Sequence, residues 1–120
     1  MVKSMLALST ALTLVSGGMF HADLKSSIPA KDATVAAPKM VTLTFTEAVT
    51  LSLCGISIYQ ANGTTLVEKL VVKATSDKAT ITGAVTKPLA PGKYVIKWKN
   101  GAADDGHPES GSFGFTVAPK

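Results

Sequence analysis

The sequence of 120 residues has one cysteine, no arginine, two histidines and seven aromatic residues. A single cysteine excludes an intramolecular disulfide, so the hydrophobic core must stabilise the fold unaided. The net charge is +4, and every positively charged side chain other than histidine is a lysine. Without arginine, and without a basic cluster interleaved with aromatic residues, nucleic-acid recognition is not expected. No apolar run reaches the length of about 20 residues that a membrane-spanning helix needs.

The first twenty residues have the pattern of a secretory signal peptide. Lys3 supplies the positive charge, residues 5–15 supply the apolar segment, and Ser16-Gly17-Gly18 supplies small residues near a cleavage point. We therefore predict a signal peptide over residues 1–20, cleaved after residue 18 or residue 20. The remaining residues, 21–120, are enough for one domain with a modest core.

After this leader, short stretches alternate between apolar and polar residues, which is typical of strands with one buried face. Cys54 lies in phase with Ile56 and Ile58, which favours an inert, buried thiol. Asn62-Gly63 predicts a hairpin with a type I′ turn. The pattern indicates an all-β domain, a seven-stranded antiparallel Greek-key sandwich or barrel of immunoglobulin-like type. The predicted strands cover residues 22–28, 41–46, 52–59, 65–72, 79–83, 93–99 and 113–117.

Strand direction predicts where the polar candidates meet. If each strand reverses the direction of the one before it, the start of the first strand, the end of the second and the loop after the sixth share one end of the domain. These positions hold His21, Glu47, Asp105 and His107. Glu47 continues the inward phase of Phe45, so it needs a partner, for which a metal and a lysine are equal alternatives.

The residues at this end form a candidate metal site. In Asp105-Gly106-His107, the glycine lets the backbone turn so that both flanking side chains point inward. A histidine at a processed terminus offers both its imidazole and its α-amine, and this nitrogen and oxygen donor set suits Cu(II). The alternative for the loop is an exposed polar turn without a chemical role. Motif register alone favours Asp105 over Asp104.

Three stretches of the sequence resemble the CopC-type periplasmic copper-resistance proteins. They are the segment from His21 to Pro29, the strand end Leu43-Thr44-Phe45-Thr46-Glu47, and Asp105-Gly106-His107 before the last strand. Their joint order is the specific feature, since each motif is short. The resemblance implies a periplasmic Greek-key barrel or sandwich that binds Cu(II). It implies an amine and imidazole from His21, a carboxylate from Asp105, an imidazole from His107, and a more variable carboxylate from Glu47.

Two features depart from that family. Some members also hold Cu(I) through a methionine-rich loop, whereas Met40 is the only methionine here outside the leader and its border. The second is Phe20, which precedes His21 where signal cleavage normally requires a small residue. Cleavage after Gly18 would leave Met19-Phe20-His21 at the terminus, and the alternative hypothesis is that its amine, backbone amides and third-position histidine bind Cu(II) or Ni(II).

The leading hypothesis is a non-enzymatic periplasmic carrier or buffer of Cu(II), acting in copper resistance or homeostasis. We expect a monomer that exchanges copper with a membrane or periplasmic partner protein. One alternative is a copper-dependent oxidative enzyme built around an N-terminal histidine, although few aromatic residues remain to bind a polysaccharide. The other is a metal-free structural or adhesion-like sandwich. No nucleophile motif indicates a hydrolase.

Overall fold

The computed structural model describes residues 21–103 and 106–120, so the predicted leader and the pair Asp104 and Asp105 lie outside the described residues. Within these ranges the chain forms nine strands and one short 3₁₀ helix, Leu51–Leu53. The strands are β1 (Leu24–Ile28), β2 (Thr34–Val35), β3 (Met40–Phe45), β4 (Gly55–Gln60), β5 (Leu66–Lys69), β6 (Val72–Ala74), β7 (Thr80–Ala84), β8 (Gly92–Gly101) and β9 (Pro108–Val117).

The strands form two sheets. One has five strands in the order β2-β9-β8-β4-β5, and the other has four in the order β1-β3-β7-β6. Every pair is antiparallel except β2 with β9, which is parallel. The predicted all-β sandwich is therefore confirmed, and β1 is an edge strand of the four-stranded sheet.

The strand count differs from the predicted seven because one predicted strand divides between the sheets and the connection after the first strand forms a further short strand. The segment predicted as one strand over 65–72 is divided into β5 in the larger sheet and β6 in the smaller one. After β1, the chain likewise crosses to the larger sheet and forms β2. β5 runs in the same direction as β8, since both are antiparallel to β4, and β6 runs in the same direction as β3, since both are antiparallel to β7. Backbone hydrogen bonds join the ends of β3 and β8, so the crossing from β5 to β6 keeps the chain direction. The predicted alternation of directions therefore survives the extra strands.

The core lies between the sheets and follows the predicted alternation. In β3, Val41, Leu43 and Phe45 are at most 2% exposed, while the threonines between them lie on the other face. The Phe45 ring packs against Trp98 of β8, with 5.3 Å between ring centroids. The remaining large buried side chains include Ile56, Ile58, Ile81, Tyr94, Ile96, Phe113 and Phe115. Within the described ranges, no helix is both long and apolar enough to cross a membrane.

The hairpin between β4 and β5 forms, but not through a type I′ turn. That turn needs a positive φ at both central residues, and here only Gly63 has one, at 73°. Asn62 instead caps the loop with its side chain, since its Oδ1 accepts hydrogen bonds from the backbone N–H groups of Thr64 and Thr65. The loop between β4 and β5 spans residues 61–65.

We expect Phe45→Ala to lower the free energy of unfolding by about 3–5 kcal/mol, because it removes a buried ring and leaves a cavity beside Trp98. Urea denaturation measures the change. The control is Ile28→Ala, whose side chain is 68% exposed and which should change stability by about 0.5 kcal/mol or less. Equal effects of the two substitutions would contradict this account of the core.

Candidate metal centre

The segment that carries His21 is held by hydrogen bonds to three consecutive backbone carbonyls. Thr46, just after β3, donates its hydroxyl to His21 O at 3.3 Å and its backbone N–H to Asp23 O at 2.9 Å. The same hydroxyl oxygen accepts from the N–H of Asp23 at 3.0 Å. Between them, Ala22 O accepts from Nδ2 of Asn100 at 2.9 Å, and the Ala22 side chain is fully buried. The backbone that carries the His21 ring is thus fixed before β1 begins.

Backbone hydrogen bonds hold the loop that carries His107 at both of its ends. Ala102 donates its N–H to His107 O at 3.2 Å, and Gly106 donates to Ala102 O at 2.8 Å. Gly106 adopts a φ of 69°, so its lack of a side chain is used here, as the sequence indicated. Ala103 donates to Ala48 O at 2.9 Å, which ties the loop to the chain after β3.

The two histidine rings meet edge to face at this end of the sandwich. Their centroids are 4.5 Å apart and the ring planes are inclined by 73°. Glu109, near the start of β9, lies between them. Nδ1 of His21 donates a hydrogen bond to Glu109 Oε2, and Nε2 of His107 lies 3.7 Å from the same oxygen. One ligand atom from each of the three residues lies within 4.8 Å of the others, which is close enough to share one metal ion.

The site is open to solvent. The side chains of His21 and His107 are 37% and 49% exposed, whereas that of Glu109 is 26% exposed. The rings therefore stand at the rim and the carboxylate beneath them. Such an arrangement gives an ion direct access from outside, while the backbone that supports the ligands stays fixed.

The structure brings together only some of the predicted site residues. His21 and His107 are brought together, and Asp105 lies outside the described residues. Glu47 does not continue the inward phase of β3, so that expectation is wrong. The strand ends at Phe45, Glu47 is exposed, and the next buried side chain is Val49, which pairs with Ala102. Among the described residues, the group of three potential ligands contains Glu109 in place of Glu47.

The sequence reasoning missed Glu109, although the pattern carried a signal for it. Glu109 is in phase with Gly111, Phe113, Phe115 and Val117, and this face of β9 points into the sandwich. A carboxylate in the inward phase at a strand end needs a partner. The same argument was applied to Glu47, which the structure instead leaves exposed beyond the end of β3.

Cys54 does not belong to this group of ligands. It is half-buried, packs against the core, and its thiol contacts Thr50 O at 3.4 Å. Burial raises the pKa of the Cys54 thiol, and a hydrogen bond with the Gly101 backbone partly opposes that rise. A raised pKa leaves less thiolate at neutral pH, and the thiolate is the form that binds metals.

The chain is similar in sequence to known copper resistance proteins. A family model for the CopC domain matches residues 24–118. Copper resistance protein C of Xanthomonas campestris pv. juglandis is 34% identical, over 89% of this chain and 88% of that protein. Copper resistance protein C of Escherichia coli is 29% identical, over 96% of this chain and 95% of that protein.

The chain belongs to the CopC family. Solved structures agree: CopC from Methylosinus trichosporium OB3b superposes with a TM-score of 0.74 at 36% identity, over 82% of this chain and 95% of that one. PcoC, a methionine-rich copper resistance protein from Escherichia coli, gives a TM-score of 0.67 at 30% identity, over 81% and 98%. The family predicted from the sequence motifs is thus confirmed. These relatives carry the names of copper resistance proteins and not of enzymes, in agreement with the non-enzymatic prediction.

Proposed function

We propose that this CopC-family protein binds Cu(II) in the periplasm and acts as a carrier or buffer in copper resistance. The observation that carries the proposal is the convergence of two imidazoles and one carboxylate, with ligand atoms within 4.8 Å of one another. His21, His107 and Glu109 supply nitrogen and oxygen donors, a set that suits Cu(II). Copper is the cargo of such a protein, so an open rim favours its uptake and release.

The donor chemistry also favours Cu(II) over Cu(I). Thioether sulfur is the soft ligand that suits Cu(I). Within the described part of the chain the only methionine is Met40, which begins β3 and so lies at the opposite end of that strand from the metal centre. A methionine-based Cu(I) site next to the histidines therefore has no support among these residues.

Two further ligands complete the proposal. Asp105 precedes His107 by two positions in the same loop, and we keep it as a carboxylate ligand on the strength of the family motif. The α-amine of His21 is the other, if the exported chain begins at that residue. The hydrogen bonds to the carbonyls of residues 21–23 support this role, because a fixed backbone holds an amine next to the ring of its own residue.

We further propose that the protein is a monomer that exchanges its copper with a membrane or periplasmic copper-handling partner. The exposed rings of His21 and His107 support direct exchange, since a partner's ligands reach the ion without any opening of the sandwich.

We expect the exported protein to bind one equivalent of Cu(II) with a type-2 paramagnetic resonance spectrum rich in nitrogen coordination. Loss of a residue that only orients a metal ligand costs about 10–100-fold in affinity, and His107→Ala should weaken Cu(II) binding by more than that, because it removes a direct ligand. Cys54→Ala is the control and should leave affinity unchanged. Titration with Cu(II) against a competing chelator measures both. A wild-type protein without a tight site would contradict the proposed function.

Exchanging each carboxylate for its amide tests which glutamate serves the site. Glu109→Gln should weaken Cu(II) binding and alter the spectrum, because Glu109 contacts both imidazoles. Glu47→Gln is the matched control, since Glu47 is exposed and outside the group of three. If Glu47→Gln weakens binding and Glu109→Gln does not, the carboxylate assignment is reversed.

Intact mass of the protein recovered from the periplasm should correspond to a chain that begins at His21, which places a free amine beside its ring. A chain that begins at Met19 would exclude the His21 amine as a ligand. It would replace this ligand set by the one that uses a histidine at the third position.

A further inference from the structure

Asn100 is the one polar side chain that is buried among the described residues, at 2% exposed. Its Nδ2 donates a hydrogen bond to Ala22 O at 2.9 Å, although the two residues are far apart in sequence. Its Oδ1 is buried and has no hydrogen-bond partner. A buried acceptor that loses water without gaining a partner destabilises the folded state, and such a group calls for an explanation beyond packing.

The position of Asn100 supplies that explanation. Asn100 lies on β8 directly opposite Glu109 on β9, and residues in such a pair project to the same side of the sheet. Its hydrogen bond therefore joins the strand pair that holds Glu109, and whose connecting loop holds His107, to the segment that carries His21. Thr46 holds the same segment from the other side, because it follows β3 of the four-stranded sheet. Asn100 provides the corresponding bond from the five-stranded sheet.

We propose that Asn100 is a positioning residue for the metal centre, a role that rests on the proposed function. By fixing Ala22 O relative to β8, it sets the distance between His21 and the pair formed by His107 and Glu109. The Nδ2 donor of Asn100 performs this role. The Oδ1 acceptor stays buried without a partner, a cost that an apolar residue with a purely structural role would not have.

The test compares wild type with Asn100→Leu, which keeps a similar volume but has no donor, in exported protein whose N-terminus has been verified by mass. We expect Asn100→Leu to bind Cu(II) about 10–100-fold more weakly, the range seen when a residue that holds a metal ligand in place is removed. Its paramagnetic resonance spectrum should show altered or mixed coordination. Without metal, the amide of Asp23 should exchange with solvent faster, because the segment is no longer tied to β8.

Val117→Ala is the control for general loss of stability. Val117 is 2% exposed and ends β9, at the opposite end of that strand from Glu109. It should lower the melting temperature while leaving Cu(II) affinity, spectrum and Asp23 exchange unchanged. Asn100→Ala, which also removes the donor and adds no ionisable group, replaces Asn100→Leu in the comparison if the leucine variant does not fold, and should show the same faster exchange.

Three results overturn the positioning role. They are wild-type affinity and spectrum in the Asn100 variant, wild-type exchange at Asp23, and a loss of affinity that Val117→Ala matches at equal loss of melting temperature. Failure of the proposed function looks different. The wild type then binds no Cu(II), while faster exchange in the metal-free Asn100 variant still supports the anchoring of residues 21–23.

Discussion

The candidate metal centre depends on how residues 21–23 are held between the two sheets. Their three carbonyls accept hydrogen bonds from Thr46, which follows a strand of the smaller sheet, and from Asn100 on a strand of the larger one. A segment at the start of a domain usually frays unless it is tied down. Here it is fixed to both layers of the sandwich, so the His21 ring has a defined position against His107. Without these hydrogen bonds, only Glu109 and the loop that carries His107 would be held in a defined position.

The carrier role proposed for this protein sets two requirements, and the anchoring of residues 21–23 lets the candidate site meet both. The ligands need rigid support, because a site held within a fraction of an ångström binds more tightly than a loose one. The ion also needs a short path to the outside, and the exposed imidazoles of His21 and His107 give one. The fixed backbone supports the ligands and the exposed imidazole rings admit the ion, so the site meets both requirements. Because only the folded chain assembles these groups, copper binding should also stabilise the fold.

The sequence alone predicted the core of the sandwich and the end of the domain at which the candidate site lies. Strict alternation identified the buried face of Val41, Leu43 and Phe45, because one face of each strand must be apolar. It did not reveal that the chain over residues 66–74 changes sheets, since pairing partners depend on tertiary structure. Glu47 was misplaced because alternation does not show where a strand ends. Glu109 had the inward phase, but nothing in the sequence indicated that its partners are the two histidines.

The central claim is that the fold brings two imidazoles, from the first segment and a late loop, onto one cupric ion. Pulsed electron paramagnetic resonance of the exported protein with one equivalent of Cu(II) tests it most directly, because it detects the remote nitrogen of each coordinated imidazole. The account predicts signals from two imidazoles in the wild type, reduced to one by either His21→Ala or His107→Ala. A single coordinated imidazole in the wild type would contradict it.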